Sequence, residues 1–357
     1  MEPRRIVLAV VLMAAVLLVT PYLFPTPPQA PVAKKPTADS LTTGASGATA
    51  SGAAATGATA TASAMGAAAT TDSTGAQVAP VVMPVDTATV KTAVADYRTT
   101  NKGAALIGAS LTNYQALSNG GRTRSGTVEL ALPNERMLAF RLVVPGDTVD
   151  LGKQVFRSQQ TQDGANTVVR YDADLPGKTV SITYSFLPDS FRVNVSATVA
   201  GVPENSYLLV DLPTGFRSNE SDPTEDHRHL AYAYKPELDG AEGIAFSSLD
   251  PGEREIDAGP ITWGVAKSKY FILGVLTPKG GTPFAEINVT GGPRMNDEAT
   301  RGQATLVTPL KAGNAAFEVY VGPQEFKRLL ALGRQFETSN PYGGWIQGIV
   351  QPFATMV

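Results

Sequence analysis

The sequence predicts an all-β fold of stacked antiparallel sheets with a C-terminal amphipathic helix, preceded by one transmembrane helix and a disordered linker. Three observations predict it. An uncharged apolar run lies near the N-terminus, a long stretch without aromatic residues follows, and the remainder contains many short segments in which apolar and polar residues alternate. Short strands without intervening helical patterns favour stacked antiparallel sheets over a βαβ fold.

The N-terminal run extends from Ile6 to Phe24 and is rich in Val, Leu and Ala. A helix of this length comes close to spanning a bilayer core of about 30 Å. A cleaved signal peptide is the alternative, but the prolines that follow restrict the extended backbone that a peptidase must bind. We therefore predict a transmembrane anchor at residues 1–24.

The orientation of this anchor is less clearly encoded than its length. Arg4 and Arg5 precede the apolar run, and Lys34 and Lys35 nearly balance them on the other side. Because a bulky domain follows the apolar run, we predict that the N-terminus lies in the cytoplasm and the main domain lies outside it.

A linker is predicted at residues 25–85. Between Phe24 and Tyr97 there is no aromatic residue, and Ala, Thr, Ser and Gly dominate in near-repeats. Such a segment cannot bury enough apolar area to offset an ordering entropy of about 1–2 kcal/mol per residue. An Ala-rich helix is disfavoured because the interspersed Gly, Thr and Ser lower helix propensity.

The clearest strand pair spans residues 180–199. Val180 to Phe186 and Phe191 to Val199 both alternate apolar with polar residues, and Leu187-Pro-Asp-Ser190 lies between them. This pattern is typical of an antiparallel hairpin with one buried face. Further strands are predicted at Leu106–Tyr114, Thr127–Leu132, Leu138–Val144, Thr167–Asp172, Tyr207–Leu212, Ile261–Val265, Tyr270–Leu276, Ala285–Thr290, Gln303–Leu310 and Ala315–Val321.

One amphipathic helix is predicted after these strands, with Pro323 as its first residue. Phe326, Leu329, Leu330 and Phe336 follow at helical spacing, and packing of this stripe on a sheet is favoured over a free contact surface. The β domain with this helix is predicted to span residues 86–338.

A second apolar face includes Trp345, whose indole suits a membrane interface. Residues 339–357 are accordingly predicted to form an interfacial helix and the start of a second membrane span.

Composition excludes several classes of function. A net charge of −3 argues against nucleic acid as a partner, and the absence of cysteine excludes disulfides and thiolate metal sites. His227 and His229 could in principle share a metal, but their polar, proline-flanked stretch favours a solvated loop. The carboxylate pairs Asp172 with Asp174 and Glu253 with Glu255 are more typical of solvated charges than of catalysis. No enzyme activity and no cofactor is predicted.

Three stretches resemble the bacterial YidC branch of the YidC/Oxa/Alb insertase family. They are Trp263-Gly-Val-Ala-Lys-Ser-Lys-Tyr-Phe271 running on to Pro278, Phe317-Glu-Val-Tyr-Val-Gly-Pro323 with residues 324–330, and Tyr342-Gly-Gly-Trp345 through Gln351-Pro-Phe353. A fainter match covers Asn101 to Ile107 with Leu111 and Tyr114.

The resemblance implies a periplasmic β-supersandwich, and it implies that full-length members of the family insert and fold inner-membrane proteins, alone or with the Sec translocon. This chain would carry the anchor and the periplasmic domain only. Nascent membrane proteins, Sec components and the lipid bilayer would be the partners. The candidate contact surface comprises Phe326, Leu329, Leu330, Phe336 and Trp345. The groove arginine of the family's membrane core has no counterpart in this sequence.

The alternative is a membrane-anchored carbohydrate-binding or sugar-modifying protein, since related supersandwich folds occur in sugar mutarotases. That function needs a cleft with aromatic platforms and paired His and carboxylate groups. With two Trp and two His in the chain, it ranks second.

Overall fold

Antiparallel strands account for most of the chain that the structure, a computed structural model, describes: residues 83–117, 123–295 and 297–339. The strands are β1 Thr87–Lys91, β2 Ala95–Thr100, β3 Ala105–Leu117, β4 Arg124–Glu129, β5 Ala139–Val144, β6 Asp147–Asp150, β7 Arg157–Asp163, β8 Asn166–Leu175, β9 Lys178–Phe186, β10 Arg192–Ala200, β11 Tyr207–Asp211, β12 Ala231–Pro236, β13 Glu242–Ala245, β14 Arg254–Lys267, β15 Phe271–Leu276, β16 Phe284–Gly291, β17 Gly302–Pro309 and β18 Asn314–Pro323. The helices are α1 Pro223–His227 and α2 Phe326–Leu332, and short 3₁₀ segments lie at Leu151–Lys153, Phe246–Ser248 and Phe336–Ser339.

The strands form two sheets. A four-stranded sheet has the order β1-β2-β3-β4, and a 14-stranded sheet has the order β6-β5-β11-β17-β16-β14-β15-β18-β10-β9-β8-β7, with β12 pairing β13 and β14. The pairings within both sheets are antiparallel. The predicted all-β class with stacked antiparallel sheets is confirmed.

The β9–β10 hairpin shows how the sequence pattern produces this fold. Its register runs from Val193 opposite Phe186 to Ala200 opposite Thr179, as the alternation predicts. Along β10 the valines and Ala197 are buried, whereas Asn194 and the other polar side chains between them are exposed. One face of the hairpin therefore enters the core and the other faces solvent.

Tyrosines join the small sheet to the large one. The ring of Tyr97 on β2 lies 5.1 Å from that of Phe186 on β9. The hydroxyl of Tyr171 donates to Oγ1 of Thr99 at 2.6 Å, and that of Tyr184 donates to the carbonyl oxygen of Ala104 at 2.6 Å. These buried contacts hold β2 and the start of β3 against β8 and β9.

Two local predictions need correction. Pro323 is the last residue of β18 and Glu325 is the N-cap of α2, so Pro323 does not start the helix. The stretch with His227 and His229, predicted as a loop, contains α1, because Asp222 caps the N–H of Glu225 with Pro223 at the first helical position.

Several predicted segments lie outside the described residues: the anchor, the linker up to residue 82, and residues 340–357. Within the part of the chain that the structure describes, no helix combines the length and the apolar content that crossing a membrane requires.

Two buried tyrosines provide a matched test of the contact between the sheets. Replacing Tyr184 with Phe should lower the free energy of unfolding by about 1–2 kcal/mol, because the bond to the carbonyl of Ala104 is lost. Replacing Tyr97 with Phe should cost less than about 0.5 kcal/mol, since its buried hydroxyl has no partner among the described residues. Urea unfolding of both variants measures the difference, and equal costs would contradict this account.

Candidate contact site at the C-terminal helix

The segment between β18 and α2 is hydrogen-bonded to the turn that precedes β15. The backbone N–H of Gln324 donates to the carbonyl of Tyr270 at 2.8 Å. Its side-chain amide donates to the carbonyl oxygens of Ser268 at 2.6 Å and Phe271 at 3.1 Å. The amide oxygen of Gln324 is buried without a hydrogen-bond partner among the described residues. The start of α2 therefore has a fixed position on the large sheet.

Glu325 connects this helix start to the small sheet. Its carboxylate accepts a hydrogen bond of 2.5 Å from the hydroxyl of Tyr114 on β3 and another of 2.5 Å from Nε of Arg328. Burial, followed by the bond to Glu325, raises the pKa of Tyr114 to about 12. The bond from Tyr114, followed by that from Arg328, holds the pKa of Glu325 below its ordinary value. At neutral pH Tyr114 is therefore a donor to an ionised carboxylate.

A cleft of about 550 Å³ opens at this junction, lined by Tyr114, Gln115, Val128, Glu220, Lys269, Tyr270, Phe271, Pro323, Gln324 and Glu325. Tyr270 is 48 % exposed, and Nζ of Lys269 lies 5.5 Å from the centre of its ring. Burial, then the negative charge of Asp226, raises the pKa of Glu220. The cleft thus presents aromatic surface beside charges of both signs.

The chain reverses direction at the end of α2 through three successive left-handed residues. The φ angles of Gly333, Arg334 and Gln335 are +71°, +58° and +55°. This conformation costs roughly 1–2 kcal/mol for a residue with a Cβ, so other contacts must hold it. The side chain of Arg334, 10 % exposed, donates to both carboxylate oxygens of Glu318 on β18, at 3.2 and 3.0 Å. Its guanidinium also donates to the carbonyl of Thr277.

The reversal places Phe336 in the core. Its ring lies 5.5 Å from Trp263 and 6.0 Å from Tyr320, both at steep interplanar angles. The indole Nε1 of Trp263 donates to the carbonyl of Arg334 at 3.0 Å. A Cβ at Gly274 would lie 2.5 Å from the Phe336 ring, so only glycine leaves the space that the ring occupies. The C-terminal segment is therefore anchored at both ends of α2.

The four predicted contact residues that the structure describes divide into two groups. Leu329 and Phe336 are buried, with 1 % and 0 % exposure, and both belong to the hydrophobic core. Phe326 is partly exposed and Leu330 is 50 % exposed, one helical turn apart on the same side of α2. Trp345 lies outside the described residues. The contact surface as a whole stays a prediction.

The sequence pattern singled out neither Glu325 nor Arg334. Tyr114 appeared as the last residue of a predicted strand and in a stretch of family resemblance, and Gln324 appeared in such a stretch only. The Tyr114–Glu325 contact joins residues 211 positions apart, so no local pattern could predict it.

The other polar candidates do not converge. His227 Nδ1 faces Glu298 at 3.5 Å and His229 Nε2 faces Glu225 at 3.2 Å, so each has a separate carboxylate. Among the described residues, no group of three or more His, Cys, Asp or Glu side chains is arranged to hold a metal.

The two carboxylates of each candidate pair also have different partners, or none among the described residues. Asp172 accepts from Arg170 and Ser181, and Asp174 pairs with Arg157. Glu253 accepts from the backbone N–H of Asp250, and Glu255 lies exposed on β14.

A second, broader cleft of about 750 Å³ lies between the ends of β11, β16 and β17. Two of its charged side chains pair with each other, with Nε of Arg301 3.3 Å from Glu135, and the carboxylate of Asp211 accepts a hydrogen bond from Arg141. No aromatic ring is among its lining residues. The cleft therefore lacks the stacking surfaces that the carbohydrate alternative requires.

Comparison with known proteins decides the family. The sequence model described as the YidC periplasmic domain matches residues 87–356. The chain belongs to the YidC periplasmic domain family. The match covers the strands and α2, so the structure described above is that of a YidC periplasmic domain.

Curated relatives carry the name membrane protein insertase YidC. The protein from Prosthecochloris aestuarii is 27% identical over 59% of this chain and 37% of its own length. The proteins from Syntrophus aciditrophicus and Chlorobaculum tepidum are 21% and 24% identical over 71% and 82% of this chain, and over 47% and 50% of their own lengths. The chain thus spans half or less of these relatives.

Solved structures similar to this YidC periplasmic domain include a galactose mutarotase-like protein from Lactobacillus casei. It has 11% identity and a TM-score of 0.41, and the match covers 67% of this chain and 100% of that chain. An alpha-N-acetylgalactosaminidase from Bifidobacterium bifidum has 8% identity and a TM-score of 0.47, over 71% of this chain and 39% of that chain.

The hydrogen bond between Tyr114 and Glu325 should make the free energy of unfolding depend on pH. Folding lowers the pKa of Glu325, so the ionised carboxylate stabilises the folded protein. This stabilisation is fully present above the ordinary glutamate pKa of about 4.3 and is lost as the pH falls through the lower, folded-state pKa. Glu325→Gln should lower the free energy of unfolding at pH 7 by less than about 1 kcal/mol, because the carboxylate is partly exposed.

The difference between Glu325→Gln and wild type should shrink below about pH 4. Tyr114→Phe should cost less in the Glu325→Gln background than in the wild type, because both changes remove the same bond. Denaturant unfolding at pH 7 and pH 3 measures these values. A difference that is the same at both pH values would exclude the proposed role of the carboxylate.

Proposed function

We propose that this chain serves in a YidC-type membrane protein insertase that assists the insertion and folding of inner-membrane proteins, alone or with the Sec translocon. Residues 1–24 would anchor it in the inner membrane with the N-terminus in the cytoplasm, residues 25–85 would form a linker, and the β domain would lie in the periplasm. Nascent membrane proteins and the lipid bilayer would be its partners. The insertase would transport polypeptide rather than catalyse a chemical reaction, and it would need no cofactor.

The match to the YidC periplasmic domain across residues 87–356 carries this proposal. The name of the curated relatives supports the insertase activity. The apolar run at the N-terminus supports the anchor, since its length approaches that of a bilayer core of about 30 Å.

The anchoring of α2 supports a specific role for the β domain. Phe336 and Leu329 hold the helix on the large sheet, while Phe326 and Leu330 remain accessible on one side of it. A fixed helix with accessible apolar side chains can dock against a second surface without the entropic cost of ordering itself. We propose that Phe326 and Leu330 contact the membrane part of the insertase or the bilayer, with Trp345 at the membrane interface.

Depletion of the full-length gene product in its source bacterium tests the function. Insertion of a single-span inner-membrane protein, followed by protease accessibility after pulse labelling, should fall on depletion and recover when the wild-type gene is supplied. Normal insertion in depleted cells would overturn the proposed function.

Two matched variants of α2 test the contact surface in the same cells. Leu330→Asp should weaken rescue, with a loss of roughly 1 kcal/mol or fivefold in contact affinity. Ala331→Asp is the control, because Ala331 is also exposed on α2 but is adjacent to the proposed surface rather than part of it. Equal rescue by both variants would contradict the contact role of Leu330 while leaving the insertase function standing.

A further inference from the structure

Strand β7 forms an open edge of the large sheet. It is the terminal strand of the order that ends β9-β8-β7, and all 7 of its residues are exposed. One side of β7 pairs with β8, so the backbone N–H and C=O groups on the other side have no strand partner in the described sheet. Such an edge can accept a further strand.

The β7 edge lacks the features by which proteins usually block pairing. Its sequence Arg-Ser-Gln-Gln-Thr-Gln-Asp contains no proline and no lysine. Its register with β8 runs without a bulge from Arg157 opposite Asp172 to Asp163 opposite Asn166. The opposite edge of the same sheet, β6, is only 4 residues long and has Asp at both ends. Short, charged or bulged edges resist pairing, whereas β7 is long, regular and uncharged in its middle.

The charges of β7 fit a second copy of the same strand. Arg157 and Asp163 stand at the two ends and project from the same face, because they are six residues apart. In an antiparallel pair of two β7 strands centred on Gln160, each Arg157 lies opposite the Asp163 of the other copy. Any other antiparallel register separates these charges. Asp163 has no ion pair among the described residues, and Arg157 shares an exposed one with Asp174 at 2.9 Å.

We propose that two copies of this chain associate through β7, in an antiparallel strand pair whose two-fold axis passes Gln160. The pair extends the large sheet across both copies and makes a closed, self-complementary interface. Its centre joins Gln160 to Gln160, and each Ser158 faces a Gln162. One polar strand per copy buries less than the roughly 1,200 Å² of a stable interface, so the dimer is weak and reversible.

Disulfide trapping detects such a dimer, because the 357-residue chain contains no cysteine of its own. In the purified full chain, Gln160→Cys should form a cross-linked dimer under mild oxidation, since opposed Cα atoms in an antiparallel pair lie about 5 Å apart, within disulfide reach. Ser158→Cys is the matched control on the same exposed face. In the proposed strand pair, position 158 of one copy lies four residues, roughly 13 Å, from position 158 of the other, so this variant should not cross-link with itself. A mixture of Ser158→Cys and Gln162→Cys should cross-link, because those positions face each other.

Charge reversal in the Gln160→Cys background tests the register independently. Arg157→Asp and Asp163→Arg should each reduce cross-linking roughly tenfold, because each places like charges opposite one another twice per dimer. The double variant restores opposite charges and should recover the yield. Unchanged thermal unfolding of the variants confirms that the exposed substitutions leave the fold intact. Cross-linking of Gln160→Cys no greater than that of Ser158→Cys, or insensitive to the charge reversals, would overturn the proposal.

Discussion

Insertion of the Phe336 ring into the large sheet is the contact on which the C-terminal part of this YidC periplasmic domain depends. The ring fills a space beside Trp263 and Tyr320 that exists only because position 274 is glycine. To reach it, the chain passes through the left-handed residues 333–335, a conformation that Arg334 stabilises through Glu318. Burial of a phenylalanine stabilises by roughly 1.5–3 kcal/mol, which offsets much of the roughly 2–4 kcal/mol that the two left-handed residues with a Cβ, Arg334 and Gln335, cost together.

The position of α2 follows from this contact and from the bonds at its other end. Gln324 fixes the helix start to the turn before β15, and Glu325 ties it to Tyr114 on the small sheet. Both sheets and the helix therefore meet at one cleft, beside the exposed ring of Tyr270. A domain built this way presents the exposed side chain of Leu330 in a fixed orientation.

Alternation of apolar and polar residues predicted most of the strands, but six of those in the structure have no counterpart in the prediction: β1, β2, β6, β7, β12 and β13. The β9–β10 hairpin follows directly from alternation, whereas β7 has seven exposed polar residues and so no apolar period to detect. Pro323 suggested a helix start because its fixed φ suits a first helical turn, yet the same residue ends β18. Phe336 fits helical spacing from Phe326, but the left-handed turn at Gly333 sends it inward instead. The bonds of Arg334 with Glu318 and of Tyr114 with Glu325 depend on tertiary structure and leave no local pattern.

Hydrogen exchange of the C-terminal segment tests the anchoring of α2 most directly. The amides of Gly333, Phe336 and Thr338 donate to the carbonyls of Leu330, Gly333 and Gln335. In the wild-type protein these amides should be protected, and Phe336→Ala should release them while the β9–β10 hairpin stays protected. Rapid exchange of residues 333–338 in the wild type, or unchanged protection in Phe336→Ala, would contradict the claim that the buried ring holds the helix in place.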